Sequence, residues 1–127
     1  MRKVPGEGPA TAKIALVGEA PGDHEVREGR PFVGAAGKFL DGMLQDAGLR
    51  REECYVTNLL QEQPDPTAPT ADARNSFGVL YADKGRREPT ERLQLEVTRC
   101  RDELGALRPN IVVALGNEPL RWLTGKR

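Results

Sequence analysis

The chain has 127 residues, with nineteen basic and nineteen acidic side chains and a single histidine. That length fits one domain spanning 1–127, and zero net charge excludes a protein that coats a polyanion by bulk attraction, so any such binding must come from local Lys and Arg placement. The two cysteines, Cys54 and Cys100, form no CxxC pair and no apolar run reaches the length of a membrane span or secretory signal. A reducing, cytoplasmic setting without membrane attachment is expected, with no metal site.

Residues 13–17 are a short apolar run closed by Gly18 and the Pro21-Gly22 pair, which predicts a buried strand feeding a tight turn. Past a polar loop, Phe39, Leu40, Met43, Leu44 and Ala47 recur at helical spacing and Gly48 suits a cap, predicting a helix over 36–47. Residues 55–60 have strand character one crossover later, so the two strands should pair in parallel as a βαβ unit. From 64 to 87, Pro64, Pro66, Pro69, Gly78 and Gly85 interrupt any long element, and a long loop or insertion is expected. Pro89-Thr90-Glu91 reads as a helix start, with Leu93, Val97, Cys100, Leu104 and Leu107 along one face. Residues 110–116 follow as a third strand whose two-sided apolar character suits an interior place with helices on both faces. Asn117 is the expected cap of a last short helix carrying Leu120, Trp122 and Leu123.

Three clusters carry chemistry, and each has a plain structural reading beside the functional one. Gly18-Glu19-Ala20-Pro21-Gly22 lies at the carboxyl end of the first strand, where open parallel sheets place their ligands; Gly and Pro alone would also justify an ordinary turn. The turn is neither a dinucleotide nor a Walker fingerprint. Gly29-Arg30-Pro31-Phe32-Val33-Gly34-Ala35-Ala36-Gly37 sets an aromatic ring and an arginine among small residues that let a phosphate or a flat ring approach the backbone. Phe32 could equally be a core anchor. Asn58 interrupts the second strand near its carboxyl end, where its amide can read a base edge or bond the neighbouring loop.

In order, Gly18-Glu19-Ala20-Pro21-Gly22, Glu25, Gly29 to Gly34, Ala36-Gly37 and Thr57-Asn58 resemble the iron–sulfur-containing family of uracil-DNA glycosylases. The resemblance continues through Pro89-Thr90, Glu96, Cys100, Leu104, Arg108-Pro109 and Val113-Ala114-Leu115-Gly116, leaving out the 64–87 stretch. It implies a three-layer α/β/α fold with a short parallel sheet and a pocket for a uracil flipped out of DNA, whose N-glycosidic bond is hydrolysed in base excision repair. It further implies that Phe32 stacks on uracil, that Asn58 reads the polar edge and rejects cytosine, and that Glu25 shapes the edge near uracil C5. Glu19 belongs to the water-activating loop, in which Gly18, Ala20, Pro21 and Gly22 hold substrate. Glu19 and Asn58 are the implied catalytic residues.

Departures from the family set further expectations. The N-terminal CxxC is absent, Glu62 stands where another cluster cysteine would, and only Cys100 has a counterpart, so no cofactor is expected. The 64–87 stretch offers Phe77 to Tyr81 followed by Lys84, Arg86 and Arg87, which suit a DNA-touching wedge or an apolar patch packed on the domain. The eleven residues after Gly116 are too few for a fourth strand and a His-containing loop, and the lone His24 sits in the first loop. The chain alone is therefore expected to be a weak glycosylase or none, a monomer acting on uracil-containing DNA, completed by a partner or a C-terminal segment. The alternatives are a noncatalytic DNA- or uracil-binding module and a part of a larger replication protein.

Overall fold

The computed structural model describes residues 3–126; Met1, Arg2 and Arg127, at the ends of the expected 1–127 domain, lie outside the described residues. In chain order the elements are β1 (Ile14–Gly18), α1 (Asp23–Glu28), α2 (Ala35–Asp46), β2 (Tyr55–Asn58), α3 (Ala71–Arg74), α4 (Glu91–Leu107), β3 (Ile111–Ala114) and α5 (Asn117–Thr124). The strands are all parallel and ordered β2-β1-β3, with Leu16 opposite Val56 and Val113, and Gly18 opposite Asn58.

Side chains alternate across a strand, so β1 feeds two cores. On one face Leu16 packs with Val56, Cys54 and the α2 residues Leu40 and Leu44. On the other, Val17 packs with Leu59, Leu60 and the α4 residues Leu93, Val97 and Cys100. Helix on sheet on helix gives the expected three layers. Thr90 caps α4 by accepting a bond from Leu93 N at 3.3 Å, and Gly48, at φ 76°, ends α2 in the left-handed conformation that a side chain would oppose. Among the described residues no helix is long and apolar enough to cross a membrane.

Four sequence expectations change. Among the described residues the third strand pairs on one side only: β1 holds the centre with β2 and β3 on either side of it, and Ile111, Val112 and Val113 are 55%, 42% and 37% exposed. On α2, Phe39 and Met43 face solvent while Leu40 and Leu44 make the contact, a narrower stripe than the sequence offers. The loop after β1 holds the short helix α1, opened at Gly22 and closed by Gly29 at φ 71°. Gly116, not Asn117, is the cap residue of α5.

The 64–87 segment is ordered against the domain. Phe77, Leu80 and Tyr81 are buried in the α4-side core, which decides for the packed patch over an aromatic wedge. The segment is also fastened to α1: Arg74 donates to both Asp23 oxygens at 3.0 and 2.9 Å and Gln63 Nε2 to Oδ1 at 2.6 Å. The Arg74 guanidinium, helped by Gln63, holds the Asp23 carboxyl down to about 2.

Candidate active site

The carboxyl ends of β1 and β2 meet at the Gly18 and Asn58 pair. A Cβ on Gly18 would stand 2.5 Å from Asn58 Oδ1 and 2.8 Å from Phe32 Cε2, so only glycine lets the amide and the ring converge on this point. Asn58 is 3% exposed, and its Oδ1 is the one buried side-chain polar atom without a hydrogen-bond partner among the described residues. A buried acceptor left unpaired costs roughly 1–3 kcal/mol, so this oxygen is a standing demand for a donor. The backbone beside it is fixed: Arg99 Nη2 donates to the Asn58 and Leu59 carbonyls at 2.9 and 2.8 Å.

Phe32 is held over this corner against its own preference. Its φ of 53° is left-handed, which for a bulky residue costs on the order of 1–3 kcal/mol unless the surroundings enforce it. They do so from three sides. Arg51, on the turn before β2, donates from Nη1 to the Phe32 carbonyl at 2.6 Å and from Nη2 to the Pro31 carbonyl at 2.5 Å. Gly37 lets the first turn of α2 close on Phe32, where a Cβ would collide with its carbonyl. Glu25 accepts from Gly22 N at 2.9 Å, Val33 N at 3.0 Å and Gly34 N at 2.7 Å, stapling the turn after β1 to the Phe32 loop. Burial pushes the Glu25 carboxyl up, but the amides of Gly34, Gly22, Glu25 and Val33 outweigh it and leave it below the usual value.

Glu19 leaves the rim on the other side. Its Oε2 would lie 3.0 Å from a Cβ on Gly116, placing the carboxylate against the first turn of α5. Burial, reinforced by the Glu118 carboxylate and opposed by the Arg86 guanidinium, raises its pKa. Pro21 is fully buried beneath the turn, and the Gly22 N–H is taken by Glu25. His24 is exposed on α1, with Nδ1 3.3 Å from Arg27 Nη2. Arg30 pairs with Glu7 at 2.7 Å.

Sequence reading brought Gly18, Glu19, Phe32 and Asn58 to one rim; the structure joins Gly18, Phe32 and Asn58 there and turns the Glu19 side chain away to Gly116. It did not single out Arg51, Arg99, Glu118 or Gly116's contact with Glu19, because each acts across a long sequence separation without a local motif. Phe32 also lines an open cleft of about 270 Å³ with Glu28, Val33, Lys38 and Arg51, and larger clefts of about 410 and 550 Å³ lie away from the corner, lined by Pro9, Lys13 and Cys54 and by Lys3, Glu62 and Arg92 respectively.

Among the described residues the donors do not fit the cluster of the resembling family. Cys100 is fully buried among leucines and valines, with its thiol pushed up to about 11 by that burial, and Cys54 lies in the core on the opposite face of the sheet. Glu62 faces Arg92 at 3.9 Å. One inert thiol cannot replace a set of thiolates.

Comparison with known proteins places this rim in context. A sequence model described as the uracil DNA glycosylase superfamily matches residues 5–127. A Type-4 uracil-DNA glycosylase of Archaeoglobus fulgidus is 43% identical over 117 residues, covering 89% of this chain and 48% of the relative. Proteins of the same name from Sulfurisphaera tokodaii and Thermotoga maritima are each 35% identical, over 97% and 98% of this chain and 48% and 65% of their own lengths. The chain thus spans about half to two thirds of these curated relatives.

Proposed function

Because the chain belongs to the uracil DNA glycosylase superfamily, we propose that it receives a uracil turned out of DNA at the Phe32 and Asn58 niche and hydrolyses its N-glycosidic bond, as a base excision repair hydrolase. The observation that carries this reading is the orphaned Asn58 Oδ1 beside the Phe32 ring. A base stacked on the ring presents its polar edge to that amide. Uracil offers the N3–H donor the oxygen lacks, while cytosine opposes it with an acceptor, and the dry surroundings make the mismatch cost about 1–3 kcal/mol.

In the hydrolysis, the sugar gains oxocarbenium character and uracil leaves as an anion. Glu19 orients the attacking water, a role suited to a carboxylate whose burial strengthens it as a base. Of the turn amides, Pro21 has none and Gly22 serves Glu25, so Ala20 is the one assigned to the substrate. Glu25 acts by stapling the two loops, and Gly18 by leaving room for ring and amide. The test is incubation of the purified chain with single- and double-stranded oligonucleotides carrying one uracil, measuring free uracil and abasic sites. Release abolished by Glu19→Gln supports the reading; a chain that neither releases uracil nor prefers uracil-containing DNA counts against it.

A further inference from the structure

The 64–87 segment and the first turn of α5 meet beside Glu19, and the proposed reaction leaves both unused. Glu118, in that first turn, is 6% exposed. Its Oε1 accepts from the Tyr81 hydroxyl at 2.5 Å and its Oε2 from Arg86 Nη1 at 3.0 Å. Tyr81, equally buried, accepts in turn from Trp122 Nε1 at 3.0 Å and Arg121 Nη1 at 3.3 Å. Burial and the Glu118 bond push its phenol up to about 12, so it remains a donor. Arg121 also stacks over the Tyr81 and Trp122 rings, 5.5 and 4.9 Å from their centroids, and donates to the Arg86 carbonyl. Arg86 is thereby held at φ 54° with its guanidinium on Glu118.

Two residues before Glu118, Gly116 carries the chain past the Glu19 carboxylate at φ 115°. A side chain at Gly116 would be strained and would press on Glu19. The charged groups that bear on Glu19 are Glu118 from α5 and Arg86 from the 64–87 segment, while Tyr81 stays neutral. Bracing Tyr81 would need only an acceptor, which an amide supplies without the expense of burying a charge next to another carboxylate. The charge at position 118 pairs with Arg86 and stands two residues along the chain from the place where Gly116 meets the Glu19 carboxylate.

We propose that Glu118 and Arg86 are positioning residues for Glu19, an ion pair at the first turn of α5 that governs the electrostatic surroundings of its carboxylate, so that the 64–87 segment is an arm of the reaction site. This rests on Glu19 orienting the water. Glu118 adds to the rise that burial gives the Glu19 carboxyl, and Arg86 opposes it. The two halves of the pair therefore act in opposite senses, whereas two halves of a purely structural brace would not.

The experiment follows the Glu19 side-chain carboxyl by carbon NMR titration in the wild-type chain, in Glu118→Gln and in Arg86→Met, beside the pH profile of uracil release. Glu118→Gln lowers the Glu19 midpoint and Arg86→Met raises it, with Arg86→Lys close to wild type; the acid limb of uracil release moves in the same directions. Arg86 is 46% exposed on its side chain, so Arg86→Met decides the matter even if Glu118→Gln does not fold. Midpoints that stay in place, or move together, overturn the proposal. Opposed midpoint shifts in a chain whose uracil release survives Glu19→Gln would sink the role given to Glu19 while leaving the hold of the pair on its carboxylate intact.

Discussion

On the base side of the rim, Phe32 and Asn58 are held by residues of the first βαβ unit and the helix behind it, whereas on the other side Glu19 meets Glu118 and Arg86 from the last helix and the 64–87 segment. On the Phe32 and Asn58 side, Glu25, Arg51 and Arg99 bond backbone amides and carbonyls, and Arg51 and Arg99 also pair with Asp41 and Glu103. The Glu19 side sets its carboxylate against Gly116, at the start of the helix whose Glu118 forms the ion pair with Arg86. In the proposed reaction, recognition by stacking and one amide needs a dry, exact shape while water activation needs a tuned charge, and these demands fall to the two sides of the rim.

Gly37→Ala should have the largest effect. Its Cβ would enter the Phe32 carbonyl, an overpacking that costs about 1–3 kcal/mol, so thermal unfolding should show a lowered midpoint and uracil-DNA affinity should fall with it. The Glu19 titration should be unmoved, and a large shift there would break the separation of the two sides. Phe32→Ala comes next: loss of a stacking partner worth roughly 1–3 kcal/mol weakens binding of a uracil-containing oligonucleotide about tenfold or more. Full affinity in a folded variant would place the base elsewhere.

Much of the base side was legible because its parts sit in compact local patterns. Gly18 to Gly22 ends a strand, Phe32 lies in a run of small residues, and Asn58 breaks an apolar strand, so position in the fold followed from position in the chain. Arg51 gives no such signal, since its partners are the carbonyls of Pro31 and Phe32. The Glu19 side was hidden for the same reason: Glu118 and Arg86 are 32 residues apart and look like ordinary surface charges until α5 and the 64–87 segment pack together. The one-sided pairing of β3 among the described residues was also hidden, because apolar side chains on both faces describe a strand's composition and not its rank in the sheet.

A smaller effect is expected at Glu25. Its carboxyl lies below its ordinary value of 4.5, so the staple contributes fully above that pH and is lost as pH falls towards the folded-state value. Acid should loosen the Phe32 loop, and Glu25→Gln should flatten this dependence in uracil-DNA binding measured at descending pH. The smallest effect belongs to Asp23, exposed enough for solvent to screen its pair with Arg74. Its carboxyl drops from 3.8 to about 2 on folding, so the stability it adds is present above 3.8 and lost as pH falls to about 2. Asp23→Asn should remove that part of the acid unfolding curve, leaving base selectivity unchanged.

The central claim is that Asn58 reads the base, and the most direct measurement compares the affinities of matched oligonucleotides carrying uracil or cytosine, at one salt concentration, for the wild-type chain and Asn58→Leu. The wild type should favour uracil by about tenfold, and Asn58→Leu should bind both strands alike at the weaker affinity. An Asn58→Leu protein that keeps the full preference for uracil would contradict the account.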